Sequence, residues 1–71
     1  MNNELKTRYE TISNGLLTEV ARVASHQIAF GHQKNELWLV TTGTRKYDTA
    51  VSVLRDRGFK LTSKFNLKKI A

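Results

Sequence analysis

His26 and His32 are the only two histidines in a chain of 71 residues that has no cysteine. Six positions apart, with no thiol and no neighbouring carboxylate pair, they do not have the spacing of a metal site. Neither stands in a nucleophile–base arrangement with Ser13, Ser25, Ser52 or Ser63. Glu36 and Asp48 have no matched partner for acid–base work, and capping accounts better for Asp48. So short a chain also leaves little room for a shielded pocket of ~300 Å³ or more. The chemistry open to these residues is binding without catalysis, and nothing implies a metal or a cofactor.

Charge gives that binding a direction. In residues 1–40, Lys6, Arg8, Arg22 and Lys34 are balanced by Glu4, Glu10, Glu19 and Glu36, so the whole net charge of +6 lies in residues 41–71. There Arg45, Lys46, Arg55, Arg57, Lys60, Lys64, Lys68 and Lys69 face only Asp48 and Asp56. A one-sign surface attracts a polyanion or an acidic protein face, although a small protein also gains solubility from it.

Three groupings could use that charge. In Thr41-Thr42-Gly43-Thr44-Arg45-Lys46, a helix start after a strand would aim free N–H groups at a phosphate. Gly43 would let the backbone approach, and Arg45 and Lys46 would add full charges. The plainer reading is a Thr-capped loop with two solvated cations, since the phosphate-loop spacing of glycine and lysine is missing. The second grouping is Lys60, Lys64 and Lys68, with Thr62 and Asn66 between them. On one strand, at ~3.3 Å per residue, the end lysines would stand ~26 Å apart and could track a phosphate backbone. The same lysines would also guard an edge strand against aggregation. Arg55 and Arg57 would belong to this surface, diluted by Asp56. The third is Trp38, placed to stack on a base, to bury itself in a homodimer or partner protein, or to fill a strand covered on both faces.

These residues need elements to hold them. Asn2 or Asn3 would cap a first helix whose Leu5, Tyr9 and Ile12 fall at helical spacing, with Glu4–Arg8 and Lys6–Glu10 as pairs four residues apart on its outer side. Ser13-Asn14-Gly15 breaks it, and Leu16, Leu17, Val20, Ala21 and Ala24 resume the helical pattern. Residues 25–30 fit helix or strand. A strand at 27–30 is favoured, because it would form a hairpin through Gly31–Asn35 with Glu36–Thr41, the best strand pattern in the chain.

Tyr47, Ala50, Val51 and Leu54 predict a helix over 45–57 that Gly58 ends in the left-handed conformation, with Phe59 packing back on Leu54. Leu37 and Leu39 would share that core. Phe59, Leu61, Phe65 and Leu67 then alternate with polar residues, so 60–67 reads as a strand reached by a right-handed parallel crossover, with Ser63 off pattern. The expected fold is one α+β domain over 1–71: α-(α)-β-β-α-β, a mixed three-stranded sheet with helices on one face.

No apolar run approaches the ~20 residues of a membrane helix, Met1-Asn-Asn-Glu4 does not resemble a signal peptide, and disulfides are excluded. These features predict a cytoplasmic protein. A thin core without metal or disulfide predicts a homodimer, formed through a sheet edge or the Trp38 side. The functional expectation is a small binding domain that contacts nucleic acid through Arg45, Lys46, Lys60, Lys64 and Lys68. The alternative is a regulator or inhibitor that docks through Trp38 on an acidic partner protein.

Overall fold

The computed structural model describes residues 3–70. Among them are three helices, α1 (Asn3–Tyr9), α2 (Asn14–Gln33) and α3 (Leu37–Asp56), followed by two short strands, β1 (Phe59–Leu61) and β2 (Leu67–Lys69). The strands pair only with each other, antiparallel, with Phe59 opposite Lys69, Lys60 opposite Lys68 and Leu61 opposite Leu67. This corrects the expected mixed three-stranded sheet: the protein is dominated by helices and carries a single two-stranded hairpin. Any capping by Asn2 or by the Asn3 side chain lies outside what is described. No helix among the described residues is long and apolar enough to cross a membrane.

The break after α1 falls at Ser13-Asn14-Gly15, as expected, with α2 starting at Asn14. Ser13 is extended, and its Oγ accepts a hydrogen bond from the Leu16 N–H at 3.2 Å, which makes it the N-cap of α2. The strand favoured at 27–30 does not form, because α2 continues through those residues to Gln33. Residues 36–41, expected as a strand, are the cap and opening turns of α3. The polar stretch between them still turns the chain, but it joins two helices. Asn35 takes a left-handed φ of 57°. Its N–H donates to the His32 carbonyl at 3.2 Å, and the Glu36 N–H donates to the Gly31 carbonyl at 2.8 Å. That is the paired bonding of a Schellman ending, for which asparagine is the usual substitute for glycine.

Helices α2 and α3 therefore run back against each other, and small residues bring them close. Ala21, Ala24 and Gly31 on α2 and Gly43 and Ala50 on α3 are buried. A Cβ at Gly43 would stand 2.8 Å from Ile28 Cγ1 and 3.0 Å from the Ala24 carbonyl oxygen. One at Gly31 would meet Val40 Cγ2 at 2.8 Å. Glycine inside a helix costs ~1 kcal/mol relative to alanine, which the close contact of two 20-residue helices offsets. Gly43→Val is expected to force the helices apart and destabilise the protein by at least ~1–3 kcal/mol. Thermal unfolding followed by circular dichroism checks this; an unchanged melting temperature would contradict the packing.

The core sits where α1, the start of α2, the end of α3 and the hairpin meet. Leu17, Ala21, Ala50, Val53 and Leu54 are almost wholly buried, with Tyr9 beside them. Burial raises the Tyr9 phenol above its ordinary pKa, against a smaller downward pull from Arg8. Phe59, Leu61, Phe65 and Leu67 pack on this cluster, so the inward side of the last segment is as its alternation predicts. Gly58 also ends α3 as predicted, with φ 89°. Leu37 does not join the core: it is 72% exposed on the first turn of α3.

The chain folds back at Ser63. Thr62 Oγ1 accepts from the Lys64 and Asn66 N–H groups at 3.3 and 3.1 Å, and the Phe65 N–H donates to the Thr62 carbonyl. Phe65 then takes φ 59°. A turn followed by a left-handed residue is a common three-residue hairpin connection.

Arg57 fastens this end of the molecule. Its guanidinium donates to Asn14 Oδ1 at 2.8 Å and to the Glu10 carbonyl at 3.0 Å, so it serves the fold and leaves the basic surface expected of Arg55 and Arg57 to Arg55. Lys6 pairs across to Asp56 at 3.2 Å, not with Glu10.

Candidate functional site

Arg45 and Lys46 are not at a helix start. The N-cap of α3 is Glu36, so both cations lie more than two turns inside the helix, and the free N–H groups expected beside them are bonded within it. Gly43 serves helix packing, which removes the anion-binding loop read from Thr41–Lys46. What the fold provides instead is a groove of about 240 Å³ between α1 and α3, lined by Glu4, Leu5, Arg8, Thr42, Arg45 and Lys46. Among the described residues the salt bridges are Lys6–Asp56 and Arg22–Glu19. Arg8, Arg45 and Lys46 therefore bring three cations to the groove without a bonded acid, against the single carboxylate of Glu4.

Trp38 lies on the same side of α3. Residues 38, 42 and 45 are spaced i, i+4, i+7, which puts Trp38, Thr42 and Arg45 in one row along a helix with 3.6 residues per turn. From Trp38 to Arg45 is ~10 Å along the axis at 1.5 Å per residue. The indole is 65% exposed. The expectation of a Trp on a strand face is overturned, yet the helix brings it to the cations more directly than a strand would have.

The lysines of the last segment also meet in an altered way. In one extended strand Lys60 and Lys68 would stand far apart, whereas in the hairpin they are direct cross-strand partners, and Lys64 sits in the connecting turn. All three are exposed, as is Lys69. Like charges directly opposite one another on a sheet are unfavourable by some tenths of a kcal/mol, and no acid follows Asp56 to relieve them. An anion bound there would.

Sequence reasoning missed the place of Arg8, which it paired with Glu4 along one helix. Only the folding of α1 against α3 puts both residues on a shared groove, and no spacing in the chain announces that contact. His26 and His32 are exposed, and six residues of helix rotate them onto different faces of α2. Among the described residues no three potential ligands gather around a metal-sized space.

No known protein family matches this chain, and neither does any curated protein or solved structure.

Proposed function

We propose that this is a small, non-catalytic nucleic-acid-binding domain working in the cytoplasm, with the β1–β2 hairpin as its main contact. The observation that carries the reading is the convergence of Lys60, Lys64 and Lys68 on a hairpin whose apolar residues are turned to the core. Such a ribbon holds its charges in place without ordering a flexible tail, and it suits a phosphate backbone. Arg45 and Lys46, with Arg8 across the groove, extend the basic surface along α3. The test is a fluorescence-anisotropy titration of labelled single- and double-stranded oligonucleotides at low salt, where electrostatic attraction is least screened. Micromolar or tighter binding is the expected result. No binding under those conditions would end the reading.

The rival reading, a regulator or inhibitor docking on an acidic protein through Trp38, predicts weak affinity for random nucleic acid at ~150 mM salt and a large loss from Trp38→Ala against its partner.

A separate observation bears on self-association. Leu16, Val23 and Phe30 are each about half exposed, and their seven-residue spacing aligns them on the outer face of α2. The only Asp, Glu, Lys or Arg residues within α2 are Glu19 and Arg22, which pair with each other. In a chain of net charge +6, the row carries one cation, Lys34, whose Nζ lies 5.9 Å from the Phe30 ring centroid, so a second copy can approach it against little repulsion. A two-fold contact centred on Val23 would set Leu16 against Phe30 of the second copy. Sedimentation equilibrium is expected to show a dimer that Val23→Glu disperses. An 8.1 kDa species alone at high micromolar concentration would contradict it.

A further inference from the structure

We infer that the groove between α1 and α3 takes single-stranded nucleic acid, with one base stacked on Trp38 and the adjoining phosphates held by Arg45, Lys46 and Arg8. This deepens the nucleic-acid reading and depends on it. That reading asks only for phosphates, which duplexes and single strands share, whereas Trp38, one turn before Thr42 and next to the groove rather than in its lining, adds an aromatic face. A duplex keeps its bases stacked inside, so an exposed indole has nothing to gain from it. A single strand offers every base as a flat partner, and base–aromatic stacking is tolerant of sequence.

The geometry meets the requirement. Trp38 is the most exposed aromatic side chain among the described residues, and it stands in one row with Thr42 and Arg45. Thr42 stands one turn beyond Trp38 in that row and lines the groove with Arg45 and Lys46. At about 240 Å³ the groove is smaller than pockets that enclose a small-molecule ligand, and it suits a strand lying across it. Glu4 is the one unfavourable group, because its carboxylate faces the same space. Its removal gives a variant in which binding should rise.

Trp38 is the chain's single tryptophan, so its fluorescence reports directly on the indole. The experiment titrates the protein, at low salt, with a thymidine oligonucleotide, an abasic oligonucleotide of equal length and a duplex of equal length. The thymidine strand is expected to quench the fluorescence, while the abasic strand and the duplex bind with little quenching. Trp38→Ala should weaken single-strand binding ~5- to 150-fold, the range that stacking of one base supplies, and leave duplex binding unchanged. Trp38→Phe should recover most of the loss. Glu4→Gln should tighten single-strand binding ~2- to 5-fold, the scale of one exposed charge interaction. With its side chain mostly in solvent, Trp38→Ala is expected to stay folded, which its melting temperature checks. If both forms bind but Trp38→Ala weakens neither and no quenching occurs, the inference is overturned and the broader reading stands. If nothing binds, both fall together.

Discussion

Leu54→Ala is expected to remove most of the stability of this protein. Leu54 is fully buried and belongs to the cluster with Tyr9, Leu17, Ala21, Ala50 and Val53, so it joins all three helices, and the hairpin packs on the same cluster. Truncating a buried leucine to alanine costs ~2–5 kcal/mol through lost transfer energy and the cavity left behind. Small domains have ~5–15 kcal/mol in total, and one of this size belongs at the low end. The largest fully buried side chains of the described residues all lie in this one cluster, so no second core shares the loss. Urea denaturation should show a midpoint lowered by ~2 M or more at the ~1 kcal/mol/M slope of the smallest proteins, or a variant already unfolded. Leu37→Ala serves as the counterpart: its side chain is mostly in solvent, and the change should stay within ~0.5 kcal/mol. Equal effects at the two positions would show that the core is misplaced.

The second large effect is functional. Replacing Lys60, Lys64 and Lys68 together by alanine is expected to weaken nucleic-acid binding ~100- to 1,000-fold at ~0.1 M salt. Each phosphate neutralised contributes ~0.9 to the log–log salt slope on duplex DNA and ~0.7 on a single strand. Three lost contacts at that salt therefore remove ~2–3 decades of affinity. Stability should move the other way. Lys60 and Lys68 are like charges in direct opposition, so the variant should melt at the same temperature or slightly above. A loss of binding in a protein that is no less stable separates a binding surface from a structural one. Lys34→Ala, which removes a charge outside the basic half, should leave affinity nearly unchanged.

The ends of the helical half were legible in the sequence, but its middle, expected as a hairpin over 27–41, was not. Ser13-Asn14-Gly15 marked the break after α1, where the Ser13 side chain accepts from a free N–H group, and Gly58 marked the end of α3, where freedom at positive φ is needed. The stretch 36–41 misled because Leu37-Trp38-Leu39-Val40 is a short apolar run that fits helix or strand equally, and Gly43 after it looked like punctuation. The signal that decides it was present: residues 40, 43, 47, 50 and 54 recur at alternating steps of three and four, and 21, 24, 28 and 31 do the same. Gly43 and Gly31 belong to those series as points of close approach, a role that glycine does not distinguish in sequence from a turn. The hairpin was hidden for a different reason. Its left-handed position is filled by Phe65 instead of glycine or asparagine, so only Ser63, out of step with the alternation, marked the turn.

The basic character of the second half could be read from composition, but its arrangement could not. The alternation that turns Phe59, Leu61 and Leu67 inward holds for one strand or two, so the sequence placed the lysines outward without showing that Lys60 and Lys68 face each other. The groove depends on α1 crossing α3, a contact that neither element encodes alone.

Nucleic-acid binding through the basic surface is tested most directly by its salt dependence in the unmodified protein, with the association constant measured at three or more salt concentrations. Arg45, Lys46, Lys60, Lys64 and Lys68 predict a log–log slope of roughly −3 to −5, steeper on duplex than on single strands, and each alanine substitution should reduce it by up to ~1. A slope near zero, or no binding even at the lowest salt, would contradict the assignment of the basic surface to nucleic acid.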